Sequence, residues 1–356
     1  MRQKVLNLFP ARWHTLLVAF ILFQPAVAQD QAIDRVIVRR ENTRREVTYT
    51  GRVLEYANRI LRFRMQTSGG IRQFKSNEVV RIETPQTEPH REGLKLFAAG
   101  KYQAAIQTLE AAAKDEPRDW VKRDILALLS RIHLKFGKRL EAARAFVRLT
   151  NSDPTTHHFG SIPLWWNDTP PSAEAQRMAR AWLEGPNLSA RLISASILFH
   201  DPATRREANT TLDQLARSGR QHVIDLARVQ QWRGALAEKR RITDGEIAGW
   251  KRRLKSMKPA ERGGPWFLIG RGYATRMDYE KAALAYFWVP LVYKDDEWLA
   301  AESNLGAALA LEKAGRLVDA ESTYRETATR YSRTPFATIA DNKLKPRPQN
   351  PSTSDQ

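Results

Sequence analysis

The 356-residue sequence contains no cysteine, which excludes disulfides, thiolate catalysis and any metal site built on sulfur. It excludes equally the lipid anchor of bacterial lipoproteins, which needs a cysteine directly after the export signal. Catalytic signatures are missing as well. There is no Gly-x-Ser-x-Gly elbow, no phosphate-binding Gly-x-x-x-x-Gly-Lys loop and no Gly-x-Gly-x-x-Gly fingerprint. None of the seven histidines has the His-x-x-x-His spacing that places two ligands on one helical face. His157 and His158 are adjacent, and adjacent histidines point apart unless the chain bends them together. The paired carboxylates Asp295 and Asp296 precede a helical stretch, where acidic residues serve as caps. A non-enzymatic protein without cofactor or metal is therefore expected.

What is present suits a folded, exported chain. Apolar residues make up 42% of the sequence, enough for a sizeable core. Arg2, Lys4 and Arg12 precede the apolar run Thr15 to Phe23, which is followed by Pro25 and the small-residue site Ala26-Val27-Ala28. The run is well short of the roughly 18 residues of a membrane-spanning helix. Residues 1–28 read as a signal peptide cleaved after Ala28, and the cysteine-free remainder suits a periplasmic or other extracytoplasmic location. The net charge is +19, and cleavage removes three positive charges. The bias is spread along the chain, as on a solvated basic exterior; its functional reading is attraction to an anionic polymer or membrane surface.

Residues 30–85 carry period-two patterning. Arg35 to Arg39, Val47 to Tyr56, Arg59 to Met65, Ile71 to Phe74 and Val79 to Glu83 are rich in β-branched and aromatic residues, with turn residues between them. Leu61, Phe63 and Met65 fall on one face of the third strand and Arg62 and Arg64 on the other. Gly51, inside the longest strand, permits a sharp bend. The segment resembles the small SH3-like or Sm-like barrels of bacterial proteins, which implies a five-stranded β-barrel. Arg52, Arg62, Arg64 and Arg72 would form a phosphate-binding face, but export and the lack of an aromatic platform argue against nucleic acid.

The rest of the chain reads as helical and repetitive. Gly93, Ala105, Leu109, Ala112 and Pro117 recur after 37 residues as Ser130, Ala142, Phe146, Leu149 and Pro154. Gly270, Tyr273, Tyr279, Ala282 and Tyr286 recur after 38 residues as Ala308, Leu311, Leu317, Ala320 and Tyr324. A small residue at the crossing lets two antiparallel helices approach, the large one fills the seam, and proline stops the second helix. Gly100, Gly137 and Gly315 break the turns within pairs. This pattern resembles the tetratricopeptide repeats of exported bacterial scaffold proteins. It divides the chain into repeats 1 and 2 (87–154), an interrupting loop (155–171), an irregular helical stretch (172–262), repeats 3 and 4 (264–340) and a polar, disordered tail (343–356). The fold class expected is mainly α: a solenoid of helical hairpins behind a small barrel.

Stacked hairpins leave a concave surface that grips peptides or proteins. By the family pattern Asp124, Arg131 and Lys135 in the second repeat, Arg271 in the third and Lys313 in the fourth face that groove, and their mostly positive charge suits an acidic segment or terminal carboxylate. Trp165 and Trp166, adjacent in a Pro-rich loop, are candidate anchors for a partner. The leading expectation is a protein-binding scaffold or adaptor in the cell envelope. A second is a binder of anionic polymer or membrane surface. A third, weaker one is an enzyme whose site gathers His157, His158 and Asp168 in the 155–171 loop.

Overall fold

The computed structural model describes residues 33–39, 45–238 and 242–345. The signal-peptide segment and most of the tail lie outside these residues. Five strands come first: β1 (Asp34–Arg39), β2 (Glu46–Ala57), β3 (Ile60–Met65), β4 (Ile71–Lys75) and β5 (Val79–Glu83). They pair antiparallel in the order β4-β3-β2-β1-β5, with alternation as expected, since Leu61 and Phe63 are fully buried. Asn58 and Arg59 both take positive φ, 52° and 61°, as a two-residue hairpin turn requires. A Cβ on Gly51 would lie 2.0 Å from the Arg64 carbonyl oxygen, so β2 can cross β3 this closely only with glycine there. The expected barrel does not close. β4 and β5 occupy opposite edges, joined by three residues that can span no more than about 15 Å, so the sheet curls; no ladder joins the two edges among the described residues.

Fourteen helices follow among the described residues. Four antiparallel pairs correspond to the four repeats: α1 (Glu88–Ala98) with α2 (Tyr102–Asp115), α3 (Asp119–Lys135) with α4 (Arg139–Ser152), α10 (Gly263–Thr275) with α11 (Tyr279–Val292), and α12 (Glu297–Lys313) with α13 (Leu317–Arg330). The repeated small residues sit at the crossings: Ala105, Ala142 and Ala282 have no exposed surface and Ala320 has 2%. A Cβ at Gly93 would meet Leu109 Cγ at 2.7 Å, and one at Gly270 would meet the Tyr286 ring at 2.6 Å. Two serines fasten the seam by donating to a carbonyl of the facing helix, Ser130 to Ala142 at 3.1 Å and Ser303 to Tyr286 at 2.9 Å.

The stretch between the pairs forms α5 (Ala173–Leu183), α6 (Leu188–Leu198), α7 (Pro202–Leu215), α8 (Gln221–Ala237) and α9 (Asp244–Ser256), of which α5 to α8 pack each on the next in sequence. Ser172, Asn187, Asp201 and Thr243 cap four of these helices with side-chain oxygens. A last helix, α14 (Pro335–Leu344), covers α13 and carries regular structure through Lys343 and Leu344, two residues into the expected tail. No helix among the described residues is long and apolar enough to cross a membrane.

The solenoid turns back on itself. α12 packs against α3, Arg139 pairs with Asp296 at 2.9 Å and Lys135 with Glu297 at 3.5 Å. The Trp298 ring lies over Gly137, where any Cβ would clash at 2.2 Å. The last repeat therefore rests on the second, and the stack is not an open superhelix. The sheet is fixed to the same helix: buried Arg123 of α3 pairs with Glu55 and donates to the Tyr56 carbonyl at 3.1 Å, while Arg59 donates to the Thr155 carbonyl at 3.0 Å.

One turn departs from the repeat. Gly100, Gly137 and Gly315 hold φ of 66° to 77°, whereas the matching turn of the third repeat places Met277 at φ 64°. This side chain is 73% exposed, so little packing offsets the left-handed backbone, which costs a non-glycine residue about 1–2 kcal/mol. Met277→Gly is expected to stabilise the protein by about 0.5–1 kcal/mol and Gly315→Ala to destabilise it by a similar amount, read by urea denaturation.

Candidate binding cleft

Folding back creates a cleft on the inner side of α3. A recess of about 250 Å³ opens between α3, the 160–166 segment, the turn at Pro259–Glu261, the start of α10 and the α11–α12 connection, lined among others by Arg131, Leu134, Trp166, Glu261 and Tyr293. A second recess adjoins it, with Phe97, Leu128, Lys135, Lys294 and Tyr331 in its wall. Arg131 lines both. It is exposed and, among the described residues, forms no ion pair. Its guanidinium can therefore meet a ligand without breaking an internal contact.

The other expected groove residues are occupied. Asp124 accepts or shares a hydrogen bond with His158 Nε2 at 2.8 Å. The Lys135 ammonium lies 5.6 Å from the centroid of the Tyr102 ring in addition to its Glu297 pair. Arg271 pairs with Asp168, and against the desolvation that would raise it, this contact holds that carboxyl below the usual range. Lys313 is exposed over the Tyr279 ring at 5.4 Å. Asp168 is thus engaged with Arg271, and the expected gathering of His157, His158 and Asp168 is replaced by one of His157, His158 and Asp124.

Trp165 and Trp166 do not present their rings to solvent. They are 8% and 7% exposed, and Phe159, Ile162 and Leu164 of the same segment are buried with them. The 155–171 segment fills the inside of the stack instead of interrupting it. Trp166 lies so close over Gly264 that a Cβ there would meet its ring at 2.1 Å. Arg139 donates to the Leu164 carbonyl at 2.8 Å.

Arg233 of α8 holds this segment most firmly. Its guanidinium, 2% exposed, donates to the carbonyls of Trp165 (2.9 Å), Ser196 (2.8 Å) and Asn167 (3.1 Å) and to Gln230 Oε1 (2.8 Å), and lies 5.0 Å from the Phe199 ring centroid. Burial lowers its pKa to about 9, which leaves it charged at neutral pH. No sequence motif marks it; the only signal is a charged residue in register with the buried Val229 and Leu236 of the same helix.

Two carboxyls, one half-buried and one buried, line the same interior. Asn167 donates to Glu302 Oε2 at 2.6 Å, and desolvation raises the Glu302 pKa to about 7. Glu261, in the cleft wall, is raised to about 7 by the same cause. On the histidine side, burial and then the neighbouring imidazole of His158 lower His157 to about 4.

The fold is that of a helical-repeat protein with a cleft inside the stack. Residues 96–160 match the family model described as Tetratricopeptide repeat, a span of roughly a fifth of the chain that begins in α1 and ends beyond α4. No curated protein and no solved structure matches the chain.

Arg233→Met removes a charge-assisted donor from three buried carbonyls, and an expected loss of about 3 kcal/mol or more should appear in urea denaturation. Glu302 supplies a pH signature. Its folded pKa lies above the unfolded value of 4.5, so the folded state binds more protons between the two values and stability falls as pH rises from about 4.5 through 7. Glu302→Gln should flatten that decline, making the variant more stable relative to wild type at pH 8 than at pH 4.

Proposed function

We propose that the protein is a non-enzymatic scaffold that holds an acidic peptide or protein segment in the cleft around Arg131. A tetratricopeptide repeat supports protein–protein interaction as its general role. The observation that carries the particular reading is the exposed guanidinium of Arg131, without an ion pair among the described residues, between two recesses whose walls combine apolar side chains such as Leu134, Phe97 and Tyr331 with charged ones. A bidentate contact from arginine to a carboxylate gives orientation, while the flanking Leu134, Phe97 and Tyr331 surfaces accept apolar side chains. The site of action we propose is the cell envelope, on the strength of the N-terminal basic, apolar and small-residue succession and the lack of cysteine.

A second reading, attachment to an anionic polymer or membrane surface, is favoured by the +19 charge together with an apolar ridge on α11. Leu284, Trp288 and Leu291, spaced along one face, are 67%, 44% and 69% exposed.

Capture from envelope extract at low and high salt separates the two. In the first reading a discrete protein stays bound at high salt and is lost in Arg131→Glu, which leaves the fold intact because Arg131 has no ion pair among the described residues. In the second, heterogeneous anionic material binds, salt alone releases it, and Arg131→Glu changes little.

A further inference from the structure

We propose that Asp124, His157 and His158 bind one divalent transition-metal ion of the zinc class, through two imidazole nitrogens and a carboxylate oxygen, with a fourth position open to water. This assignment does not rest on the cleft reading. One ligand atom from each of the three residues lies within 4.8 Å of the others. His158 Nε2 is 2.8 Å and His157 Nε2 3.9 Å from the same oxygen, Asp124 Oδ1. Bonds of about 2.0–2.2 Å to a tetrahedral zinc ion place its ligand atoms roughly 3.3 Å apart, a value the two measured separations bracket. Binding requires the turn to open slightly at His158 and to contract at His157.

The three ligands are set by two separate, fixed pieces of structure. Asp124 projects from the second turn of α3. The two histidines start the 3-10 turn His157–Ser161, which is held by Thr156 Oγ1 accepting from the His158 amide at 3.3 Å and by Ser161 Oγ donating to the His158 carbonyl at 2.8 Å. This turn brings the adjacent imidazoles to 3.8 Å between ring centroids, against the tendency of neighbouring side chains to diverge. From the sheet, the Tyr56 ring stacks on His157 at 4.3 Å and 16°, so the outer imidazole is fixed in orientation without losing a ring nitrogen.

Chemistry and access agree with the geometry. Two imidazoles and one carboxylate form a donor set for zinc or ferrous ions, and they do not need the sulfur that this chain lacks. Arg123 is the adjacent cation on α3, and its charge is matched by Glu55. The side chains of Asp124 and His157 are 37% and 27% exposed, which leaves a route for the ion and room for a water ligand.

Cobalt is the probe. The full chain without an affinity tag is titrated with Co²⁺, followed by visible absorption, and then challenged with Zn²⁺. One equivalent of Co²⁺ giving tetrahedral bands, displaced by Zn²⁺, is expected. Asp124→Asn and the double variant His157→Ala/His158→Ala should each weaken binding at least tenfold, and His200→Ala should leave it unchanged. No uptake, or equal affinity in folded variants, overturns the proposal and leaves the contact as a hydrogen bond between turn and helix. X-ray absorption on the Zn²⁺-loaded wild type needs no variant: a shell with two imidazoles supports the site, and one with fewer overturns it.

Discussion

A single guanidinium in the interior holds the parts of this protein together. Arg233 reaches three backbone carbonyls from two segments that share no regular hydrogen bonding, the 155–171 segment and α6. Irregular backbone inside a protein must find donors for its carbonyls, because water cannot reach them. A neutral side chain would satisfy one or two; the planar fork of arginine serves three together with Gln230. With that segment secured, Trp165 and Trp166 supply the apolar surface on which α10 and the final repeat settle. The return of α12 onto α3 follows from this filling.

The same filling explains how the basic charge is used. Much of the positive side-chain population near the inner surface is committed to internal contacts: Arg123 to Glu55, Arg139 to Asp296, Arg271 to Asp168. Such pairs set register more than they add stability, since desolvation offsets much of their attraction. Arg131 stands apart because the curvature of the stack leaves it facing open space between two recesses. The net charge of the sequence is thus a poor guide to the number of cations available to a ligand.

The repeats were legible because close helix crossing imposes a local rule that survives sequence divergence. Ala105, Ala142, Ala282 and Ala320 cannot be larger where they sit, and each is followed four residues later by a large buried partner. Strand positions were legible for a similar reason, as alternation of Leu61, Arg62, Phe63 and Arg64 is fixed by the pleat. Tertiary closure was not. A Pro-rich segment with two tryptophans reads as exposed, and only Arg233, charged within an apolar helical face, signals that it folds inward. The capping box of Thr243 with Glu246, three residues on, starts α9 by a local rule of the same kind. The meeting of Asp124 with His157 and His158 depends on a 3-10 turn and on docking of the sheet, neither of which has a spacing signature.

Open arrays of helical hairpins tolerate gain or loss of a unit, since each copy contacts only its neighbours. Here the last pair also contacts the second through Trp298 on Gly137 and through Asp296 and Glu297. An inserted hairpin would displace those side chains by the width of a repeat and open the seam. The number of units between the second and the last pair is therefore fixed by the contact that joins them.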